Sequence, residues 1–166
     1  MSAATHSGHR VPTAGDIMRT KLITLSPDVP IFEAIRTLLK NSISGAPVVD
    51  DEGRLVGICS ELDCLRVLTA GEFYSDDHSN EGHVADYMST EFQTVHPRDD
   101  IYQLAQFFLT HSVRRLPVME EGRLVGQLSR RDVLRAMEQL GQQRTQRKHY
   151  PDYREPASDV GARRAH

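Results

Sequence analysis

The sequence predicts an α/β domain built from two copies of one β-α-β-β-α unit, and three observations support that fold class. The pentapeptide Gly-Arg-Leu-Val-Gly at 53–57 returns unchanged at 122–126. A shift of 70 residues aligns Asp16 with Asp86 and continues to Val48 with Val118, and the second hairpin turn is one residue shorter, so the pentapeptide follows at a shift of 69. Helical periodicity and hairpin signals then recur at equivalent places in both copies. Duplicated units of this size usually bury their apolar faces against each other, so we expect one compact domain.

Each copy begins with a short extended segment that ends at a proline, Pro27 or Pro97, and an amphipathic helix follows. Apolar residues recur at helical spacing in both: Ile31, Ala34, Ile35, Leu38 and Leu39, then Ile101, Leu104, Ala105, Phe108 and Leu109. Pro30 suits the first helical position of the first copy, and Asp99 suits the N-cap of the second.

A hairpin and a second helix complete each copy. Short apolar runs flank an acidic turn that contains glycine, and they predict paired strands over 46–49 and 54–59, then over 116–119 and 123–128. The following helices carry Leu62, Leu65, Val67 and Leu68 in one copy and Val133, Leu134 and Met137 in the other.

Composition limits the function classes. The chain has 166 residues, a formal net charge of −3 and 39% apolar residues, which suits one globular domain and gives no basic surface for nucleic acid. The sequence contains neither a membrane span nor the apolar region of a signal peptide, so we expect a cytoplasmic protein. Cys59 and Cys64 lack Cys-x-x-Cys spacing, which favours buried thiols over redox chemistry.

These patterns divide the chain into five parts: an N-terminal segment (1–13), repeat 1 (14–70), a linker (71–83), repeat 2 (84–140) and a polar, mobile tail (141–166). His78 and His83 in the linker could contact a metal, but a solvated loop explains them better and we predict no metal site. The basic residues of the tail are interspersed with acidic ones, which argues against nucleic-acid binding.

Ser-x-x-Asp occurs in both copies where the last strand becomes a helix, as Ser60 to Asp63 and Ser129 to Asp132. One interpretation is a capping box that satisfies free backbone N–H groups at the helix start. The other is a ligand site, in which the hydroxyl and free amides hold a phosphate while the carboxylate accepts hydrogen bonds from ribose hydroxyls. Both interpretations remain open from the sequence.

Together these motifs resemble those of tandem cystathionine-β-synthase (CBS) domains, which form the Bateman module. The resemblance covers residues 15–137 and includes Asp-x-Met-x-Thr, Ser-Gly-Ala-Pro-Val-Val, Val-Arg-Arg-Leu-Pro-Val and the two Ser-x-x-Asp corners, in order. It implies two repeats packed with pseudo-two-fold symmetry and a central cleft for up to two adenosyl ligands: AMP, ADP, ATP or S-adenosylmethionine. It also implies a homodimer formed through the helices and regulation of an attached enzyme, channel or transporter. None is recognised in this sequence, so we expect the output to pass through a separate partner protein. We expect no required cofactor, with Mg²⁺ accompanying a bound nucleotide.

In such modules each site takes residues from both repeats. By resemblance, the first site would contain Thr20, Lys21, Leu22, Ile43, Ser44, Ser129, Arg130 and Asp132. The second would contain Thr90, Phe92, Val113, Arg114, Ser60 and Asp63, and main-chain groups near Leu22 and Phe92 would hold the adenine.

The two predicted sites differ in charge. Lys21, Arg130 and Arg131 surround the first, whereas the second combines Arg114 with Glu61, Glu91 and Asp63. We therefore expect the first to prefer a phosphorylated nucleotide, unless Arg130 and Arg131 point to solvent.

The sequence contains no recognisable catalytic motif, so an enzyme is not expected. The alternative function is a structural interaction protein that binds no ligand and dimerises through its helices.

Overall fold

The computed structural model describes residues 10–70 and 82–148, and it builds the two repeats from the same elements. Repeat 1 contains α1 (Ala14–Ile17), α2 (Ile31–Lys40), β1 (Gly45–Val49), β2 (Leu55–Ser60) and α3 (Glu61–Thr69). Repeat 2 contains α4 (Val84–Tyr87), α5 (Ile101–Thr110), β3 (Arg115–Glu120), β4 (Arg123–Ser129) and α6 (Arg130–Lys148). Each hairpin is a two-stranded antiparallel sheet, β1 with β2 and β3 with β4. The predicted fold class is confirmed, with hairpin ends within one residue of the predicted ones.

The first strand of each repeat is shorter than predicted. It consists of one parallel bridge to the hairpin, from Leu25 to Val48 in repeat 1 and from Val95 to Val118 in repeat 2. Ahead of each bridge lies a one-turn helix, α1 or α4, which the sequence pattern does not predict. Periodicity cannot reveal a helix of four residues, because one turn does not repeat a pattern.

The starts of the longer helices differ from prediction by one residue. Asp100, not Asp99, caps α5: its carboxylate accepts hydrogen bonds from the N–H groups of Tyr102 and Gln103, each at 2.9 Å. Asp99 instead accepts from the N–H of His96 at 2.8 Å and so holds the preceding turn. Pro30 is the N-cap of α2, and the helix begins at Ile31. Two adjacent aspartates make the cap ambiguous from sequence, since either side chain suits the role.

The repeated pentapeptide has a different structural requirement at each glycine. Gly53 and Gly122 close the hairpin turns with φ of +77° and +76°, a region where a side chain is strained. At Gly57 and Gly126 another segment approaches closely: a Cβ would lie 2.6 Å from Sδ of Met88 and 2.4 Å from Sδ of Met18, respectively. The first glycine therefore permits the turn, and the second lets the opposite repeat pack against the hairpin.

The two repeats exchange their N-terminal segments. Ala14, Ile17 and Met18 of repeat 1 pack into the apolar core of repeat 2, while Val84, Tyr87 and Met88 of repeat 2 pack into the core of repeat 1. Backbone bonds fix both segments: the N–H of Gly15 donates to the carbonyl of Pro97 at 2.8 Å, and that of Ala85 to Pro27 at 3.0 Å. Each apolar core is thus completed by the other copy.

Helix α6 continues eight residues beyond the predicted end of repeat 2 at 140. Its extension is rich in Gln, Arg and Lys, which favour helix even where little is buried. The remainder of the predicted tail, 149–166, lies outside the described residues, as does His78. Among the helices that the structure describes, none combines the length and apolar character needed to cross a bilayer.

Several large apolar side chains lie exposed on the helices. They occupy equivalent positions in the two repeats: Leu39, Leu65 and Leu68 in repeat 1, and Leu109, Leu134 and Met137 in repeat 2. Leu39 and Leu109 are 74% and 82% exposed, respectively, whereas their predicted role was to face a core. We refer to these six residues as the apolar helix face.

Candidate functional site

A cavity of about 520 Å³ lies between the two repeats, at the corner where β4 becomes α6. Repeat 1 contributes Arg19, Lys21, Leu22, Ile23, Ile43, Ser44 and Gly45, and repeat 2 contributes Arg114, Arg115, Gln127, Leu128, Ser129, Arg130, Arg131 and Asp132. The backbones of Arg19 and Gln127 hold the two sides together by exchanging hydrogen bonds of 2.8 and 3.0 Å. We call this cavity the first cleft.

The first cleft brings together most of the residues predicted for the first site. Lys21, Leu22, Ile43, Ser44, Ser129, Arg130 and Asp132 all line it. Thr20, the remaining predicted member, is exposed and is not among the described residues that line the cavity. Its neighbours on both sides, Arg19 and Lys21, do line it.

Asp132 is the buried acidic group of the first cleft, with 6% of the residue exposed. Its Oδ2 accepts hydrogen bonds from the backbone N–H of Ser129 at 2.7 Å and from the Ser129 hydroxyl at 2.9 Å. Its Oδ1 accepts from Arg135 at 3.1 Å, and Nε of Arg19 lies 3.7 Å away. A carboxylate offers about four acceptor positions, so these three hydrogen bonds leave one for a ligand hydroxyl on the Arg19 side.

Cations dominate the rest of the first cleft. Six basic side chains line it: Arg19, Lys21, Arg114, Arg115, Arg130 and Arg131. They oppose one lining carboxylate, that of Asp132, so the cleft carries a net positive charge. Arg130 is also anchored, because its Nε and Nη2 donate to the Val113 carbonyl at 3.2 and 3.0 Å. Arg130 and Arg131 are solvent-exposed, yet both line the cavity.

The equivalent corner of repeat 1 has the same cap but different surroundings. Oδ2 of Asp63 accepts from the N–H and the hydroxyl of Ser60, both at 2.9 Å, and the Ser60 hydroxyl accepts from the Asp63 N–H at 3.2 Å. Oδ1 accepts from the hydroxyl of Ser89 at 3.3 Å, and Arg66 lies 3.4 Å away. Ser89 thus occupies the position that Arg19 holds at the first cleft. The capping interpretation is confirmed at this corner.

The residues predicted for the second site lie in different surroundings, since Ser60 and Asp63 form the repeat 1 corner and Arg114 lines the first cleft. Thr90 is exposed, Phe92 is half-buried, and Val113 accepts the hydrogen bonds of Arg130. Arg114 differs most from its prediction, because it lines the first cleft. The loop that carries it leads into β3, which places two consecutive arginines beside the Ser129 corner.

Sequence reasoning missed several residues of the first cleft: Arg19, Ile23, Gly45, Arg115, Gln127 and Leu128. A direct comparison of the repeats could have identified Arg19. The residue at the equivalent position of repeat 2 is Ser89, so a cation in one repeat corresponds to a hydroxyl in the other. The others follow directly in the chain from predicted residues or belong to a strand whose facing segment the sequence does not specify.

Known proteins share this architecture. The CBS domain family matches residues 14–70 and 84–139. A crystal structure of CBSX2 in complex with AMP superposes with a TM-score of 0.67 at 32% identity, over 78% of this chain and 98% of that one. A second crystal structure, of the CBS-pair protein CBSX2 from Arabidopsis thaliana, gives a TM-score of 0.68 at 28% identity, over 80% of this chain and 99% of that one.

A curated relative is an uncharacterised protein of Methanocaldococcus jannaschii, 33% identical over 123 residues, or 74% of this chain. The chain spans only 41% of that relative's length. The duplicated motifs, the shared architecture and the double family match agree, and the chain belongs to the CBS domain family as a tandem pair.

Proposed function

We propose that this chain is a regulatory sensor that binds an adenosine nucleotide in the first cleft and signals to a separate partner protein. The observation that carries the proposal is the combination of six basic side chains with one buried carboxylate that retains an open acceptor position. The cations suit phosphate groups, and the Asp132 carboxylate suits a ribose hydroxyl. The AMP bound by CBSX2 supports the adenosyl class of ligand.

The structure favours a polyphosphate over S-adenosylmethionine at this cleft. A sulfonium ligand would bring its own positive charge near Arg19, Lys21 and Arg130, and like charges repel. ADP and ATP carry several negative charges, which the arginine side chains can contact in bidentate fashion. Mg²⁺ would enter with the phosphates, since it binds mainly through substrate phosphate oxygens.

The corner of repeat 1 should tolerate a less anionic adenosyl group. At the positions of Arg19, Lys21 and Arg130 it carries Ser89, Glu91 and Glu61, respectively. An anionic phosphate near those carboxylates would be disfavoured, whereas an uncharged or cationic substituent would not. The first cleft and the repeat 1 corner would then respond to different adenosyl compounds.

The matched variants Asp132→Ala and Asp63→Ala test this assignment. Each removes a buried carboxylate that accepts from the N–H and the hydroxyl of the serine before an equivalent helix, so both should lose a similar stability of about 1 kcal/mol. In a thermal-shift and calorimetric series with AMP, ADP, ATP and S-adenosylmethionine, ATP at a hundred-fold excess over Kd should stabilise the unmodified chain by about 2.7 kcal/mol. Asp132→Ala should lose that response and Asp63→Ala should keep it. The reverse pattern would show that the assignment is wrong.

A second variant tests charge as the cause. Lys21→Glu combined with Arg130→Glu replaces two of the six cations of the first cleft with the acidic residues that stand at the equivalent positions of the repeat 1 corner, Glu91 and Glu61. ATP affinity should fall and become less sensitive to salt, because fewer cations face the phosphates. Unchanged ATP affinity would mean that those side chains do not contact the ligand.

The alternative function, a scaffold that binds no ligand, draws on the apolar helix face. Exposed leucines at equivalent positions on four helices suit the association of two copies. Self-association and ligand binding are compatible. A scaffold that binds no ligand would be favoured only if none of the nucleotides changed the melting temperature.

A further inference from the structure

The corner where β2 becomes α3 contains a pair of thiols. Cys59 immediately precedes the N-cap Ser60, and Cys64 is the fourth residue of α3. Residues at these two positions often form a hydrophobic staple, which fixes the angle at which the chain enters the helix. Repeat 2 has an ordinary apolar staple there, the buried pair Leu128 and Val133. Repeat 1 therefore has a staple made of two cysteines.

The two sulfur atoms are already neighbours. Sγ of Cys59 lies 3.9 Å from Sγ of Cys64, and both thiols are free. Cys59 is fully buried, whereas Cys64 is half-buried and lines an apolar groove of about 450 Å³ between α2 and α3. A small oxidant that enters the groove therefore meets Cys64 first.

The pKa values of the two thiols also indicate that Cys64 reacts first and Cys59 second. The hydrogen bond between the two sulfurs lowers the pKa of Cys64, which favours its thiolate. The same contact, together with burial, raises the pKa of Cys59 and keeps it a thiol. Thiolates are the form that attacks peroxides and disulfides, so Cys64 would be the attacking group and Cys59 the resolving group.

We propose that Cys59 and Cys64 form a reversible disulfide when the protein meets hydrogen peroxide, and that this bond locks the corner carrying Ser60 and Asp63. The Cys64 thiolate attacks one peroxide oxygen, the O–O bond breaks, and the departing hydroxide takes up a proton to leave as water. Cys64 is now a sulfenic acid. The Cys59 sulfur then attacks the Cys64 sulfur, the S–O bond breaks, and the thiol proton leaves with the hydroxyl as a second water. Two thiols are oxidised, one peroxide is reduced to two waters, and a dithiol reductant reverses the result.

Closing the bond requires the two sulfurs to approach each other. A disulfide holds its sulfurs about 2.05 Å apart, so the present separation of 3.9 Å has to shrink by nearly half. The ring so formed contains the whole capping box, including Ser60 and Asp63. Oxidation would therefore act on the repeat 1 corner and leave the first cleft, which lies at the other corner, without a covalent constraint. A consequence for ligand binding rests on the proposed function, whereas disulfide formation does not.

Peptide mass spectrometry tests the bond directly. Trypsin cleaves after Arg54 and Arg66, so one peptide contains both cysteines. After the reduced full-length chain is treated with equimolar hydrogen peroxide and then alkylated, this peptide should carry no alkyl group and should have lost two hydrogen atoms. Dithiothreitol should restore both alkylation sites. In Cys59→Ala the reaction should stop at a Cys64 sulfenic acid that dimedone traps. A disulfide between two chains, oxidation of Cys64 beyond the sulfenic acid, or two thiols that remain alkylatable would each overturn the proposal.

A matched variant without the cysteines shows whether a change in ligand affinity depends on the disulfide. Cys59→Leu with Cys64→Val copies the staple of repeat 2 into repeat 1 and should fold, because repeat 2 already packs those residues. AMP and S-adenosylmethionine are titrated into reduced and oxidised protein, where oxidation should change affinity at the repeat 1 corner about fivefold or more. The variant should show no change on peroxide treatment. A disulfide with unchanged affinities would refute the locking of the corner. A disulfide in a protein that binds no ligand would refute the proposed function and leave the thiol chemistry intact.

Discussion

Replacing Gly126 with alanine should weaken the packing between the repeats, because Met18 lies where the new methyl group would be. The added Cβ would sit 2.4 Å from Sδ and 2.8 Å from Cγ of Met18, and 3.1 Å from the carbonyl oxygen of Arg19. An ordinary contact is about 1 Å longer than the shortest of these, so something must move. The Met18 side chain can swing away, but it packs on the core of repeat 2 and would leave that contact.

Overpacking of this kind typically costs about 1–3 kcal/mol. For a chain of this size each kcal/mol lowers Tm by about 2–4 °C, so Gly126→Ala should melt roughly 2–12 °C below the unmodified protein in calorimetry. Gly57→Ala is the matched comparison, since its Cβ would meet Met88 at 2.6 Å and the Ser89 carbonyl at 3.0 Å. Both variants should be destabilised, but only Gly126→Ala should also disturb Arg19 and nucleotide binding at the first cleft.

A double-mutant cycle shows whether Met18 is the cause. Met18→Ala leaves a gap beside Gly126, and the alanine methyl group of Gly126→Ala would partly fill it. The double variant should therefore be more stable than the sum of the single effects predicts, by about 1 kcal/mol. Strictly additive losses, or a Gly126→Ala variant with unchanged Tm, would refute the reasoning that close approach at this glycine holds the repeats together.

Three further predictions concern stability and assembly. Asp100→Ala should cost about 1 kcal/mol by urea denaturation, and more than Asp99→Ala, because Asp100 caps two N–H groups of α5. Leu65→Glu with Leu134→Glu should yield monomers in sedimentation if the apolar helix face joins two copies, while each monomer keeps its helical circular dichroism. The pKa of Asp16 is lowered by the Thr13 N–H and by Arg10, so its contribution to stability is present above pH 3.8 and is lost as pH falls below that value. Asp16→Asn should remove that part of the loss of stability at low pH, measured as the free energy of unfolding against pH. An unchanged loss below pH 3.8 would contradict the prediction.

The sequence predicted those parts of the fold that repeat a pattern. Leu38 and Leu104 belong to helices long enough to show a period, and the glycine turns fixed the hairpins. The helices α1 and α4 and the single bridges at Leu25 and Val95 are too short to show one. The predicted start of a helix was wrong where two neighbouring residues suit the N-cap position, as Asp99 and Asp100 do.

The candidate site was predictable to the extent that local motifs form it. Ser129 and Asp132 are brought together by one helix cap, so their spacing is sufficient to place them. Arg19 reaches the cleft because the segment before it belongs to the packing of repeat 2, and Arg114 does so because of the path of its loop. Comparing the repeats shows which residues correspond, but not which copy a segment packs against.

The exchanged segments have a consequence for how the chain unfolds. Two separate apolar clusters would ordinarily melt as two units, yet here α1 leaves its own half to fill the other, and α4 does the reverse. Removing either segment opens the apolar core of the opposite repeat. The two cores should therefore unfold together, and heating should show one cooperative transition. An isolated half, cut within 71–83, would lack a piece of its interior, and its simplest repair is to pair with a second identical half that donates the missing turn.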